Sequence, residues 1–153
     1  MSTIQWDQSM ATGIDSVDAQ HKQLIAWLND LLAAISQGRA RPEIQGLLDQ
    51  LGTYAATHFG NEEGCMARYK CPAAEQNLRQ HNEFVITFTG LRDDYDRDGA
   101  TANLIVRVEV ELLRWLATHI KHTDAQLLPC VQAAQPKVSR RSRRTRGTSE
   151  PKS

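Results

Sequence analysis

Four of the five histidines in this 153-residue chain stand on apolar stripes, one in each of four successive segments with helical periodicity. His21 shares its stripe with Leu24, Leu28, Leu31 and Ile35, and His58 with Ile44, Leu47, Leu51, Ala55, Glu62 and Met66. His81 lies in register with Asn77, Phe84, Phe88, Leu91 and Tyr95, and His119 with Leu104, Val108, Leu112 and Trp115. Imidazoles and carboxylates are costly to bury unless something pairs with them. A lone histidine on an apolar face is more often a hydrogen-bonded core residue than a ligand. Four of them, on four independent helices whose exposed faces carry almost none, point to a metal ion inside a helical core.

The punctuation agrees with four helices. Asp15 or Ser16 is positioned to cap a helix from near Val17, and Gly38 to stop it. Pro42 suits the first turn of the second helix, which breaks at Tyr69 to Pro72. Pro72 opens the third and Asp98-Gly99 ends it, while the fourth spans residues 101–128 with Pro129 closing it. No stretch alternates convincingly with a period of two, so no sheet is expected. Four long helices with short connections specify an all-α, up-down-up-down bundle. Residues 1–14 precede it as an arm whose Trp6 packs against the bundle. The expected division is a bundle domain over residues 1–131 and a tail over residues 132–153.

The formal net charge of zero hides an asymmetry. Residues 136–153 hold seven basic side chains against Glu150, leaving residues 1–135 net acidic. With almost no apolar side chain, that basic tail is read as disordered. It suits a protein or anionic partner, and its lack of aromatics disfavours specific nucleic-acid binding. No run approaches the length of a membrane span, and the start has no signal-peptide pattern. Cys65, Cys71 and Cys130 lack zinc or oxidoreductase spacing and are read as three free thiols in a reducing cytoplasm.

Nitrogen and carboxylate donors without thiolates suit iron, zinc or manganese. Glu62 lies one turn after His58, so both face the same ion. Two carboxylates among four histidines suffice to bridge two ions, which a single tetrahedral zinc would not require. No Glu stands three residues before any histidine, which disfavours the Glu-x-x-His di-iron proteins. On a regular helix Asp124 falls roughly 140° around from His119, whereas His122 lies closer in angle. Residue geometry alone therefore selects His122 as the second ligand of the last helix.

Across about residues 4–131 the chain resembles the bacterial hemerythrins. The resemblance is carried by Gly13-Ile-Asp-Ser-Val-Asp18 with His21, and by His58-Phe-Gly-Asn-Glu62-Glu with Met66. It continues through His81-Asn-Glu-Phe84 and Trp115-Leu-Ala-Thr-His119-Ile-Lys-His-Thr-Asp124. It implies a four-helix bundle holding an oxo- or hydroxo-bridged pair of irons that binds dioxygen. By this resemblance His21 and His58 hold one iron, His81 and His119 the other, and Glu62 and Asp124 bridge them. Choosing Asp124 over His122 requires a locally widened turn, such as a π-bulge, between His119 and Asp124.

One position departs from the family pattern. The third-helix motif is His-x-x-x-His, and this chain reads Asn77-Leu-Arg-Gln-His81. The departure leaves the iron of His81 and His119 with two protein nitrogens and puts its occupancy in question. The implied function is a non-enzymatic oxygen carrier, store or deliverer, with Leu24, Trp115, Leu116 and Ile120 keeping water out. The alternatives are an oxygen or iron sensor using the basic tail, and a di-iron enzyme reacting with peroxide or nitric oxide.

Because the tail contributes no core, deleting residues 136–153 is expected to leave helix content, bound metal and melting temperature near those of the parent. Circular dichroism and metal analysis of the truncated chain check this; a large loss of stability would show that the tail docks.

Overall fold

The computed structural model describes residues 3–134. Among these the chain is entirely helical, with no strand. Helix α1 spans Asp15–Ser36, α2 Arg41–Arg68 and α3 Ala74–Asp98. The fourth rod is composite: α4 (Ala102–Arg107), a π-helical segment (Val108–Arg114) and α5 (Trp115–His122). A 3₁₀ turn at Asp124–Gln126 leads into α6, Leu127–Ala134. The four rods pack antiparallel in up-down-up-down order, as the periodicity implies. No helix among the described residues is long and apolar enough to cross a membrane. Of the tail expected over residues 132–153, residues 132–134 instead continue α6, and the remainder lies outside the described residues.

Alternation of direction positions the histidines. His21 and His81 lie near the starts of α1 and α3, whereas His58 and His119 lie near the ends of α2 and of the fourth rod. Antiparallel packing therefore brings all four to one end of the bundle. The other end is a dry apolar core of Leu28, Leu31, Ile35, Ile44, Leu48, Leu51, Phe88, Leu91, Leu104 and Val108, all buried. Burial at roughly 25 cal/mol per Å² makes that half the main source of cohesion. At Gly52 a Cβ would meet Phe88 Cε1 at 3.1 Å, so a side chain there would press against the ring from α3.

Helix ends differ in detail from the sequence expectation. Gly38 does stop α1, at φ +61°, with Arg39 N–H donating to the Ala34 carbonyl. Neither Asp15 nor Ser16 caps α1; its N-cap is Ile14, without a side-chain bond. The first-turn carboxylate that matters is Asp18, which accepts from Thr12 N–H at 2.8 Å and Thr12 Oγ1 at 2.7 Å and so fastens the arm. Trp6 is half-buried against the core under Lys22, whose Nζ lies 4.2 Å from the ring centre. Pro72 sits in the turn before α3 rather than opening the helix. Pro129 does not close the fourth rod: it occupies the first turn of α6, where its missing N–H is not needed.

The reading of three free thiols fails for two of them. Cys71, in the α2–α3 turn, and Cys130, on α6, form a disulfide with a Cα separation of 5.6 Å. Cys65 remains free. The spacing of 59 residues hides the pair in the sequence, and only the return of the chain through α6 brings the two together. The argument for a reducing compartment rested on free thiols and loses that support. Around the disulfide, Met66, Ala73 and Leu127 form a small apolar cluster with Ile14 and Val17, closing the histidine end of the bundle.

Closing a loop of this length in the unfolded chain is worth about 4 kcal/mol in the chain-entropy treatment. Cys130→Ser is therefore expected to destabilise the protein by about 2–4 kcal/mol, read as a lower denaturant midpoint, with the difference abolished when the parent is reduced.

Candidate metal centre

His21, His58, His81 and His119 are each no more than 4% exposed, and Glu62 and Asp124 are 2% and 1% exposed. Their ring nitrogens converge on the two carboxylates. Glu62 Oε1 lies 2.8 Å from His21 Nε2 and 2.6 Å from His58 Nε2, while Glu62 Oε2 lies 3.2 Å from His81 Nε2. Asp124 Oδ2 lies 3.0 Å from His21 Nε2, and Asp124 Oδ1 lies 3.1 Å from His119 Nε2. Each carboxylate thus turns one oxygen toward each half of the site. Two four-residue groups result, His21-His58-Glu62-Asp124 and Glu62-His81-His119-Asp124. They share both carboxylates, the arrangement that bridges a pair of cations.

Proton placement shows why cations fit. His81 Nδ1 faces a carboxylate oxygen of Glu63 at 3.0 Å, and His119 Nδ1 faces the Gln80 carbonyl oxygen at 2.6 Å. His58 Nδ1 faces the carbonyl oxygen of Gln20. These partners only accept, so each Nδ1 carries the proton and each Nε2 presents a lone pair inward. His81 Nε2 and His119 Nε2 then stand 3.1 Å apart, lone pair against lone pair. His58 Nε2, Glu62 Oε2 and both Asp124 oxygens make no hydrogen bond despite these short separations. Buried acceptors facing one another repel unless positive charge lies among them. The donor set, imidazole and carboxylate without thiolate, fits iron, zinc or manganese.

The outer partners follow a pattern that the apolar stripes do not reveal. Gln20 is the chain neighbour of His21 but holds His58; Gln80 neighbours His81 but holds His119; Glu63 neighbours Glu62 but holds His81. A residue next to a ligand is turned about 100° around its helix, so it faces the adjoining helix and supports that helix's imidazole. Aromatic walls arise in the same way. Phe59, beside His58, stacks on His81 with centroids 3.9 Å apart, and Trp115, one turn before His119, stacks on it at 4.8 Å. Of these only Trp115 is signalled by the sequence.

Asp124 reaches the site by a route different from the expected one. No widened turn separates it from His119; the π-helical segment lies upstream, at Val108–Arg114. There it shifts the helical phase so that Leu112 and Leu113 are both buried. Between His119 and Asp124 the chain breaks at Thr123, with φ −97° and ψ −53°, and then tightens into the 3₁₀ turn. Thr123 is buried, and its Oγ1 donates to Gln80 Oε1 at 2.6 Å. The break swings Asp124 onto the buried side. His122 is exposed and its backbone carbonyl accepts from Gln126, so the angular preference for His122 is overturned by the end of α5. Asn77 is fully buried one turn before His81, and neither side-chain polar atom has a hydrogen-bond partner.

Comparison with known proteins agrees with this geometry. Residues 12–131 match the model of the hemerythrin HHE cation binding domain. A bacteriohemerythrin of Pseudomonas paraeruginosa is 28% identical, with the match covering 86% of this chain and 84% of that protein. A hemerythrin-like protein of Naegleria gruberi is 30% identical over 80% of this chain and 89% of its own length. Myohemerythrin-1 of Phascolopsis gouldii is 28% identical over 78% of this chain and 87% of its own.

In the metal-free protein, protons take over part of the charge balance. Burial pushes the His21 imidazolium down, but the neighbouring Asp124 and Glu62 carboxylates outweigh it and raise its pKa from 6.5 to about 9. Glu62 is held well below the ordinary carboxylate range: its burial opposes ionisation, and His21, His58 and His81 overcome it. The folded state holds the His21 proton more tightly than the unfolded chain. Its contribution is therefore complete below pH 6.5 and lost as the pH rises through about 9. The melting temperature of metal-free protein is expected to fall between these pH values, and the fall to shrink in His21→Gln.

Proposed function

Because the chain belongs to the hemerythrin HHE cation-binding family, we propose that it is a dioxygen-binding, non-haem di-iron protein, a carrier, store or deliverer rather than an enzyme. In this reading His21 and His58 hold one iron, His81 and His119 the other, and Glu62 and Asp124 bridge the two. The observation that carries it is the pair of buried donor groups sharing those two carboxylates. When bound, a ferrous pair supplies the electrons that dioxygen takes up reversibly.

The residues of this chain do the rest. Glu62 comes from α2 and Asp124 from the 3₁₀ turn after α5, so chain packing fixes the two carboxylates relative to each other, and together they would hold the ions. Gln20, Glu63 and Gln80 fix the protons on the outer ring nitrogens and keep the inner lone pairs aimed at the metals. Leu24, Leu116 and Ile120, each at most 1% exposed, exclude water from the pocket. Phe59 and Trp115 cover the His81 and His119 rings. Excluding water and protons is what a reversible oxygen binder needs, since both promote irreversible oxidation. The donor set and the apolar walls provide for binding a small apolar gas.

Protein purified without air is expected to contain iron and to change its visible spectrum reversibly on admitting and removing oxygen. His58→Ala and Glu62→Ala are expected to lose bound iron and that spectrum while retaining helical circular dichroism. Full iron and an unchanged spectrum in both variants would show that the site lies elsewhere.

A further inference from the structure

The two halves of the centre are not equivalent. Each has two imidazoles and the shared carboxylates, but on α3 the ligand His81 is preceded by one turn by a buried polar side chain, Asn77. That side chain is fully buried, one turn before His81 on the same face of α3, and both its amide oxygen and its amide nitrogen lack any partner in the protein. A buried primary amide with two unmet hydrogen-bonding ends is destabilising and rarely tolerated. A neutral amide is also a weak ligand beside imidazole. What it does offer is a donor and an acceptor side by side, which suits a small polar molecule better than a metal ion.

Two neighbouring features belong to the same half. His81 is backed by a carboxylate, Glu63, whereas His58 and His119 are backed by neutral glutamines. A carboxylate behind an imidazole raises its basicity and strengthens it as a ligand. His119 also borders a pocket of about 130 Å³, whose lining includes Gln76, Gln80, Glu83, Trp115 and Thr118.

We propose that the metal held by His81 and His119 carries an exchangeable ligand position, occupied by water, hydroxide or a small anion that hydrogen-bonds to the Asn77 amide. This position is additional to dioxygen binding at the pair, and it rests on the di-iron reading above. Asn77 acts as a recognition residue for the exogenous ligand and not as a metal ligand. Exchange there is a substitution: the incoming anion replaces bound water or hydroxide, with no change of oxidation state.

The test is equilibrium titration of the ferric, metal-loaded full chain with azide, followed by its charge-transfer absorption, alongside metal analysis. The parent is expected to bind one azide more per iron pair than Asn77→His, in which the new imidazole takes the open position. Asn77→Leu, similar in size but without hydrogen-bonding groups, is expected to keep the parent's number of azides. Its affinity for one of them should fall about tenfold, the scale of one lost hydrogen bond. The same azide count in the parent and Asn77→His would overturn the proposal, as would unchanged affinities in Asn77→Leu, which serves alone if the histidine variant does not fold. A parent without two irons per chain would overturn the di-iron reading itself, and the proposal with it.

Discussion

Two carboxylates set among four buried imidazoles, three of which turn a lone pair inward, form an arrangement that only positive charge makes tolerable. Glu62 and Asp124 each turn one oxygen to either half of the centre, and His81 and His119 face one another nitrogen to nitrogen at 3.1 Å. Burying such groups without compensation would cost several kcal/mol each. Cations reverse the sign of this energy, so the same residues that would weaken an empty bundle hold its four rods together at that end. A metal bound there would couple its binding to folding through this one cluster.

The two ends of the bundle divide the work. Apolar burial around Leu28, Leu48, Phe88 and Leu104 packs the rods together at the end away from the centre. Register sets the height of each histidine, and antiparallel order sets them all at the same end. Beneath the centre, the Cys71–Cys130 bond and the cluster around Met66 and Leu127 tie α6 to the α2–α3 turn. Asp124 lies three residues before α6, so the anchoring of α6 also restrains a carboxylate shared by both donor groups. The arm adds a further tie through Thr12 and Asp18, three residues before His21.

The halves of the centre differ in their surroundings more than in their donors. His21 has no partner on its outer nitrogen, His58 and His119 lean on glutamine carbonyls, and His81 leans on a carboxylate. Such outer contacts orient a ring and tune its basicity. With Asn77 on one side only, the asymmetry is built into the protein before any ligand arrives.

The four helices, their antiparallel order and five of the six residues gathered at the centre are legible in the order of amino acids alone. Apolar periodicity reports which face is buried, and polar residues on that face are conspicuous: His21, His58, Glu62, His81 and His119 are legible for this reason. Asp124 was legible only through the family resemblance, because its angle on an ideal helix points away from His119. The break at Thr123 that corrects the angle depends on a hydroxyl bonded to Gln80 on another helix. The same holds for Gln20, Glu63 and Phe59, which lie beside the stripe and are polar or aromatic like many surface positions. Their roles exist only across helix interfaces. The Cys71–Cys130 pair and the passage of α6 through Pro129 were likewise decided by chain return, not by local pattern. Periodicity is a property of one helix, whereas support of a ligand, closure of a disulfide and the aim of a carboxylate are properties of two helices in contact.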